Sequence, residues 1–443
     1  MKQALRGVGV RELAMARPTV ARDRSASRRA NLSMVLRLLR DEGARSRARI
    51  AEATGLPKAT VSHLIAELLD GGLVGDGGVE RGRGAVGRPG QPVEVDGRAV
   101  HGLGAEINVD YVGLLALNLR GEVTFERRRQ LDVRAAGPEA TLDAVACLTD
   151  DAMAALRDAG GRVVGLTLAT PGAVDMDAGV VKYASNIGWR DVQALAGLRR
   201  RLGPGAPQLH LENDAKLGAL AEYVLAGADN VRDLVYVTGQ TGVGVGIIAG
   251  GQLVRGTGGY AGEVGHLRLV PSDELCACGR RGCWETTVGR DALLHHAADP
   301  TDPVRDPMID LGQRLAELRN RAHAGDPRTV AALRRIADHL APGLALLADI
   351  LNPRLLVLGG HFAYFGEHLI DAVTAQVHEL VMAPDAGGCE IVLSQLGLAG
   401  TARGGALLSL DAVYQDPTAV MAGAQGLSDT PRPSTTRAQG QPA

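Results

Sequence analysis

The sequence predicts an α/β protein in two parts: a small N-terminal head of winged helix-turn-helix type and a larger body of strands and helices. Three observations predict it. Residues 31–70 hold three runs with apolar side chains at helical spacing, each followed by glycine. From about residue 99 the texture changes to alternating strands that turn at Arg120-Gly121, and to apolar strands that run into glycine loops, VVGLTLATPG and LVYVTGQTGVGVGII. Strands alternating with helical stretches, with hairpins at the start, point to a mixed sheet covered by helices. The charge divides along the same line: residues 1–100 carry 18 Lys and Arg against 11 Asp and Glu, the remainder 30 against 39. A basic head on an acidic body calls for a polyanion partner for the head alone.

The 443 residues, 45% of them apolar, suffice for two or three domains with sizeable cores. No apolar run is long enough to span a bilayer. The first 30 residues lack the apolar core of a secretory signal; they share with mitochondrial presequences an excess of arginine. The expectation is a cytoplasmic protein with no membrane partner. Residues 1–30 and the Pro-, Ser-, Thr- and Gln-rich stretch 416–443 are expected to be disordered.

The head is expected over residues 31–95. In NLSMVLRLLRDEG, residues Leu32, Val35, Leu36 and Leu39 share a face and Gly43 stops the run. The second run has Ser46 as its N-cap and ends at Gly55; Arg49 stands where a capping box would need an acid. Pro57 opens the third, where its missing N–H is harmless. Its apolar stripe is Val61, Leu64, Ile65, Leu68 and Leu69, which leaves Lys58, Ala59, Thr60, Ser62 and His63 on the other side at the N-terminal end. Short polar side chains and a cation there are what a recognition helix needs to reach base edges and phosphates. GDGGVERGRGAVGRPGQPVEV then reads as two short strands around a tip whose Arg81, Arg83 and Arg88 suit phosphate or minor-groove contact. The competing reading is a helical bundle that binds protein; the wing and the local positive charge favour DNA.

Three of the five cysteines fall within CACGRRGCWE, residues 276–285, and this spacing suits a metal in a reducing compartment better than disulfides. Cys276, Cys278 and Cys283 offer soft thiolates, and His266, ten residues upstream, can complete a closed Cys₃His shell for a structural Zn²⁺. A DNA-reading finger lacks its second half here. A thiol redox switch stays open as an alternative.

Several segments of the body, in order, resemble the ROK family (repressors, open reading frames, kinases). They are TPGAVD (170–175), NIGW (186–189), ENDAK (212–216), TGQTGVGVGI (238–247), GGYAGEVGH (258–266), the cysteine motif, and NPRLLVLGG (352–360). The resemblance covers nearly all of residues 99–415. It implies a two-lobed actin/hexokinase-like (ribonuclease H-like) fold and the same four zinc ligands. With the head, the chain is similar to the transcription-regulator branch, which includes repressors of xylose and N-acetylglucosamine genes.

The resemblance also assigns sugar contacts to Asn186, Asn213, Glu263, His266 and Glu285. Planar amides and carboxylates suit adjacent hydroxyls, whose burial without partners is costly. In the family's kinases the residue matching Asp214 is the base that accepts the proton of the sugar hydroxyl; here a sugar ligand is expected. If one His266 nitrogen meets zinc, the other can face the sugar. Family kinases carry D-x-G-G-T at the first hairpin, whereas this chain has Glu106-Ile107-Asn108-Val109-Asp110. Bulk replaces both glycines and Asp110 adds negative charge, which weighs against ATP. The glycine loop 238–247 has no GK[ST] and is weak evidence for phosphate by itself.

The expected function is therefore a sugar-responsive transcriptional regulator. It would be a repressor, acting as a homodimer or tetramer on an inverted-repeat operator, with a monosaccharide or sugar derivative as effector. The alternative is an active or bifunctional ATP-dependent sugar kinase.

Overall fold

The computed structural model describes residues 24–77, 91–227, 231–383 and 389–425; of residues 422–425 only the backbone is described. The chain forms two units. One is the body from His101 to Leu410; the other is the head, which takes its described residues from 24–100 and 411–425.

In the head, the three expected helices are Arg24–Glu42, Arg47–Thr54 and Lys58–Asp70. Ser46 is the N-cap of the second and Gly55 closes it in the left-handed region, with φ of 70°; a side chain with a Cβ would be strained there. The apolar stripes meet: Leu32, Val35, Leu36, Val61, Ile65 and Leu68 are fully buried. Strands Val74–Asp76 and Pro92–Val95 pair antiparallel, and Arg45–Ser46 pairs with the far edge of Pro92–Val95. This is a winged helix. The wing tip, with Arg81, Arg83 and Arg88, lies outside the described residues.

Two boundaries differ from expectation. The first helix begins at Arg24, inside the stretch expected to be disordered, and a further helix, Pro417–Gln425, forms in the expected disordered tail. The reason is tertiary packing. The Ser33 hydroxyl donates to the Tyr414 carbonyl at 2.6 Å, Arg37 pairs with Asp411 at 3.4 Å, and the Arg40 guanidinium lies 4.7 Å from the Tyr414 ring centroid. Met421 packs so closely on Gly71 that a Cβ there would come within 2.4 Å of its Cγ. The head is thus longer than 31–95 and includes residues from 411–425. A fragment of residues 24–100 alone is expected to unfold with about 1–3 kcal/mol less stability than the same fragment linked to 411–425, since it loses the buried Tyr414 and its cation–π contact. Urea melts of the two fragments check this, and equal midpoints would remove 411–425 from the head.

The body has two lobes, each built on a five-stranded sheet. The first sheet runs Gln208–Asn213, Arg162–Thr170, Val100–Ile107, Tyr111–Asn118 and Val123–Gln130 across its width. Its first two strands are parallel, and the last three form an antiparallel meander. The second runs Gln252–Leu253, Val243–Ala249, Leu234–Gly239, Leu355–Gly360 and Glu390–Leu393. There too a hairpin joins parallel strands. Central strands Val100–Ile107 and Tyr111–Asn118 are buried throughout on both faces, so the alternation read from the sequence places His101, Glu106 and Asn118 inside the protein as well as the apolar side chains. Each lobe has its own core, one around Trp189, Leu166 and Val112, the other around Trp284, Phe362 and Phe365. Among the described residues, no helix is long and apolar enough to cross a membrane.

Candidate functional site

The ends of the core strands deliver the chemistry. Strand Gln208–Asn213 runs straight into helix Asp214–Ala226, so Glu212, Asn213 and Asp214 sit at the strand-to-helix junction. The short turns Ser185–Ile187 and Glu263–His266 and helix Glu285–Val288 bring Asn186, Glu263, His266 and Glu285 to the same place. All six sugar-site residues expected from the sequence line one open cleft of about 690 Å³, together with Asn108, Gln240 and Thr241. Gly242 makes the approach possible. A Cβ on it would stand 2.0 Å from a Glu285 carboxylate oxygen and 3.0 Å from the Asn186 amide nitrogen.

The residues do not contribute equally. The Asn213 side chain caps the helix, accepting from the Lys216 N–H at 3.1 Å, and donates to the Gly172 carbonyl at 3.0 Å. A cap role and a cleft position coincide, and only part of its hydrogen-bonding capacity faces the cleft. Glu212 turns away into an ion pair with Arg255 at 2.6 Å. Burial pushes the Asp214 carboxyl up to about 7, and Glu106 and Glu263 nearby add to the rise. Near neutrality this carboxyl can therefore donate to a ligand oxygen as well as accept from a hydroxyl.

That shift has a consequence for stability. Between pH about 4 and 7 the folded body holds a proton on Asp214 that the unfolded chain has released, so stability falls as pH rises through this window. Asp214→Asn is expected to flatten that slope and to raise the melting temperature of the unliganded protein above pH 7. Melts of both proteins from pH 5 to 8 test it; parallel curves would refute the assignment.

Beside the cleft, His266, Cys276, Cys278 and Cys283 each point one donor atom into a space where all four lie within 4.8 Å of one another. Tetrahedral Zn²⁺ with Zn–S of about 2.3 Å and Zn–N of about 2.0–2.1 Å requires S···S near ~3.8 Å and S···N near ~3.6 Å. Cys278 and Cys283 sulfurs are 3.7 Å apart, and the Cys276 sulfur is 3.6 Å from His266 Nδ1. The donor set fits the ion. His266 Nε2 is directed the other way, 3.9 Å from Glu263, and Glu285 lies 2.8 Å from the Cys276 sulfur and 3.3 Å from Nδ1. Cleft and cluster therefore share His266 and touch through Glu285.

The first hairpin departs from its sequence reading. Asp110 is not an open negative charge: its carboxylate is buried between the guanidiniums of Arg290, at 3.0 Å, and Arg314. Arg290 also donates to the Thr241 hydroxyl at 2.8 Å. Asn108 of the same hairpin meets Gln240 of the opposite lobe. Burial raises the Glu106 carboxyl, to which the Tyr111 hydroxyl donates at 3.0 Å. The chain's own side chains thus tie the hairpin to the second lobe. Sequence reasoning missed both arginines, because 110, 290 and 314 are far apart along the chain and no local motif joins them.

On the recognition helix, Lys58, Ala59, Ser62 and His63 are exposed and Thr60 is half-buried. His63 stands 3.4 Å from Glu67, which also binds Arg28 at 2.6 Å. The face predicted for DNA is therefore free at its N-terminal end and tied down one turn later.

A winged helix-turn-helix joined to a two-lobed body with a polar cleft and a Cys₃His cluster defines a class in which DNA reading and small-molecule binding reside in one chain. The ROK family model matches residues 103–412, and the IclR helix-turn-helix domain model matches 30–76. The chain belongs to the ROK family. It is 26% identical to the xylose repressor of Bacillus subtilis (strain 168) over 389 residues, 88% of this chain and 97% of that protein. It is 32% identical to a glucokinase of Streptomyces coelicolor over 245 residues, 53% of this chain and 75% of that enzyme. Among solved structures, a ROK family transcriptional regulator homologous to the E. coli MLC protein aligns with a TM-score of 0.68 and 21% identity, covering 90% of this chain and all of that one. That last likeness concerns the fold.

Proposed function

We propose that the chain is a transcriptional repressor that reads operator DNA with its winged head and responds to a monosaccharide or sugar derivative in the cleft. The observation that carries this is the extent of the likeness. The xylose repressor matches across head and body together, 97% of its length, whereas the glucokinase matches 53% of this chain. In this reading Asn186, Asn213, Asp214, Glu263, His266 and Glu285 hold the sugar. Zn²⁺ is held by His266 Nδ1, Cys276, Cys278 and Cys283, and as a closed four-ligand site it supplies bracing, with no open position for a catalytic water. His266 presents Nε2 to the cleft, so the metal orients a sugar-binding ring. A homodimer places two heads on an inverted repeat. The sugar acts only through the difference in its affinity for the DNA-bound and DNA-free forms.

Fluorescence anisotropy with DNA from the regions flanking the chain's own gene, titrated with a panel of pentoses, hexoses and amino sugars, tests the proposal. One sugar is expected to weaken operator binding by about 5–150-fold. Replacing Thr60 and Ser62 is expected to change which sequences bind. Replacing Arg81 or Arg83 is expected to weaken all sequences alike and to lower the salt dependence. If no sugar changes either operator binding or melting temperature, the cleft is not a sensor.

A sugar kinase is the second reading, favoured by the glucokinase match and the raised Asp214 carboxyl. Against it stands the hairpin around Asp110, crowded by Asn108 and Val109 and closed by two arginines. Turnover with ATP and Mg²⁺ that disappears in Asp214→Asn would establish the kinase and displace the repressor-only reading.

A further inference from the structure

A second cluster of metal-ligating side chains lies in the second lobe, separate from the Cys₃His group. Helix Leu311–His323 ends on His323, and Glu367 and His368 stand in the first turn of helix Gly366–Leu380. His323 Nε2 is 2.8 Å from Glu367 Oε1, and His368 Nε2 is 4.0 Å from the same oxygen. The two imidazoles face each other with centroids 5.3 Å apart, and one donor atom from each of the three residues lies within 4.8 Å of the other two.

An ordinary His–Glu ion pair accounts for His323 and Glu367. It does not account for His368, whose Nε2 is shielded from solvent and has no hydrogen-bond partner. A shielded ring nitrogen without a hydrogen bond is costly, and a cation at the centre of the triangle would remove that cost for His368 while keeping His323 and Glu367 engaged.

We infer that His323, Glu367 and His368 form a second metal site, for a divalent transition ion of the Zn²⁺ or Ni²⁺ type. Two imidazole nitrogens and one carboxylate oxygen are the donors of borderline ions; Mg²⁺ and Ca²⁺ ask for oxygen ligands. Metal–ligand bonds of about 2.0–2.2 Å set donor separations near ~3.4 Å in a tetrahedron, between the 2.8 Å and 4.0 Å found. His323 and Glu367 are half exposed, at 50% and 53%, so small side-chain rotations reach that geometry. Three protein ligands leave one position to water, which makes this an exchangeable site, unlike the closed thiolate cluster. The ion joins the end of one helix to the start of another, and the first of these helices carries Arg314, which holds Asp110 next to the cleft-lining Asn108 and Val109. Occupancy therefore braces the helix that ties the two lobes together.

The test uses the full-length, untagged protein in buffered Zn²⁺ and counts bound metal per chain by mass spectrometry of the acid-digested sample. Wild type is expected to hold one equivalent more than the His323→Ala/His368→Ala double variant, whatever the occupancy of the thiolate cluster. Calorimetric titration of Ni²⁺ is expected to show an affinity more than about tenfold weaker in Glu367→Gln. Both exchanges fall on side chains outside the cores, and matching metal-free melts establish that the variants fold. Equal metal counts in wild type and double variant, or Ni²⁺ binding undiminished in all variants, overturn the site.

Discussion

Asp110→Ala is expected to lower the unfolding free energy of the body by about 3–5 kcal/mol, the range found when one partner of a buried ion pair is removed. The Arg290 and Arg314 side chains are only 4% and 3% exposed, and Asp110 only 6%. The Nε atoms of both arginines already lack hydrogen-bond partners. Without the carboxylate, two guanidiniums remain buried with one hydroxyl and one mostly exposed carboxylate, Asp291, near Arg290. Asp110→Asn keeps an acceptor and is expected to lose less. Combining Asp110→Ala with Arg314→Met removes one stranded charge and is expected to recover part of the loss, since replacing buried ion pairs by apolar groups of similar volume is often tolerated. Urea unfolding followed by tryptophan fluorescence suits the measurement, because Trp189 and Trp284 report from one lobe each. A change below about 1 kcal/mol for Asp110→Ala would mean that the arginines find water or other partners and that the hairpin is not fixed by this carboxylate.

On the proposed zinc assignment, removing the metal from the Cys₃His cluster is the second large effect. Chelation, or Cys283→Ser, is expected to destabilise the body by several kcal/mol. This is less than the ~10–16 kcal/mol attributed to structural zinc in small peptides, because the body keeps its own apolar cores. Cys283 is fully buried and directly precedes Trp284, which packs against Gly343 and donates to the His339 carbonyl at 2.8 Å. Loosening the cluster therefore reaches a large core residue as well as the cleft. Affinity for the proposed sugar is expected to fall by about tenfold or more, because His266, and Glu285 beside it, would lose the ion proposed to orient them. Operator binding in the absence of sugar is expected to persist, since the head has no ligand in the cluster. Thermal melts, sugar titration and operator binding on the same chelated sample separate these outcomes; loss of DNA binding alone would place the metal's role in the head.

Much of this molecule is legible in its sequence because the informative patterns are local. Helical spacing placed Leu32, Val35, Leu36 and Leu39 on one buried face and left Lys58, Ser62 and His63 exposed. The C-x-C and C-x₄-C spacings of CACGRRGC, with His266 just upstream, marked a cluster whose donor atoms the fold does bring together. The motifs around Asn186, Asp214, Glu263 and Glu285 are short, and each sits where a strand or turn ends, so one cleft collects them.

Tertiary structure decided what depends on residues distant in sequence. Nothing near Asp110 announces Arg290 or Arg314, and an acid read alone looks like a bare charge until its partners arrive from another lobe. Tyr414 looked like the end of the body and Met421 like part of a polar tail, yet both complete the head, because helix formation there follows packing more than propensity. Asn213 looked like a sugar ligand, and the fold also made it a helix cap. His323 and His368 carried no motif at all; two helix ends brought them to one carboxylate. Composition and spacing determine which side chains can form a face, a turn or a ligand pair. Which charges are neutralised, and which polar atoms are left without a partner, is settled only when segments hundreds of residues apart exclude water from the same point.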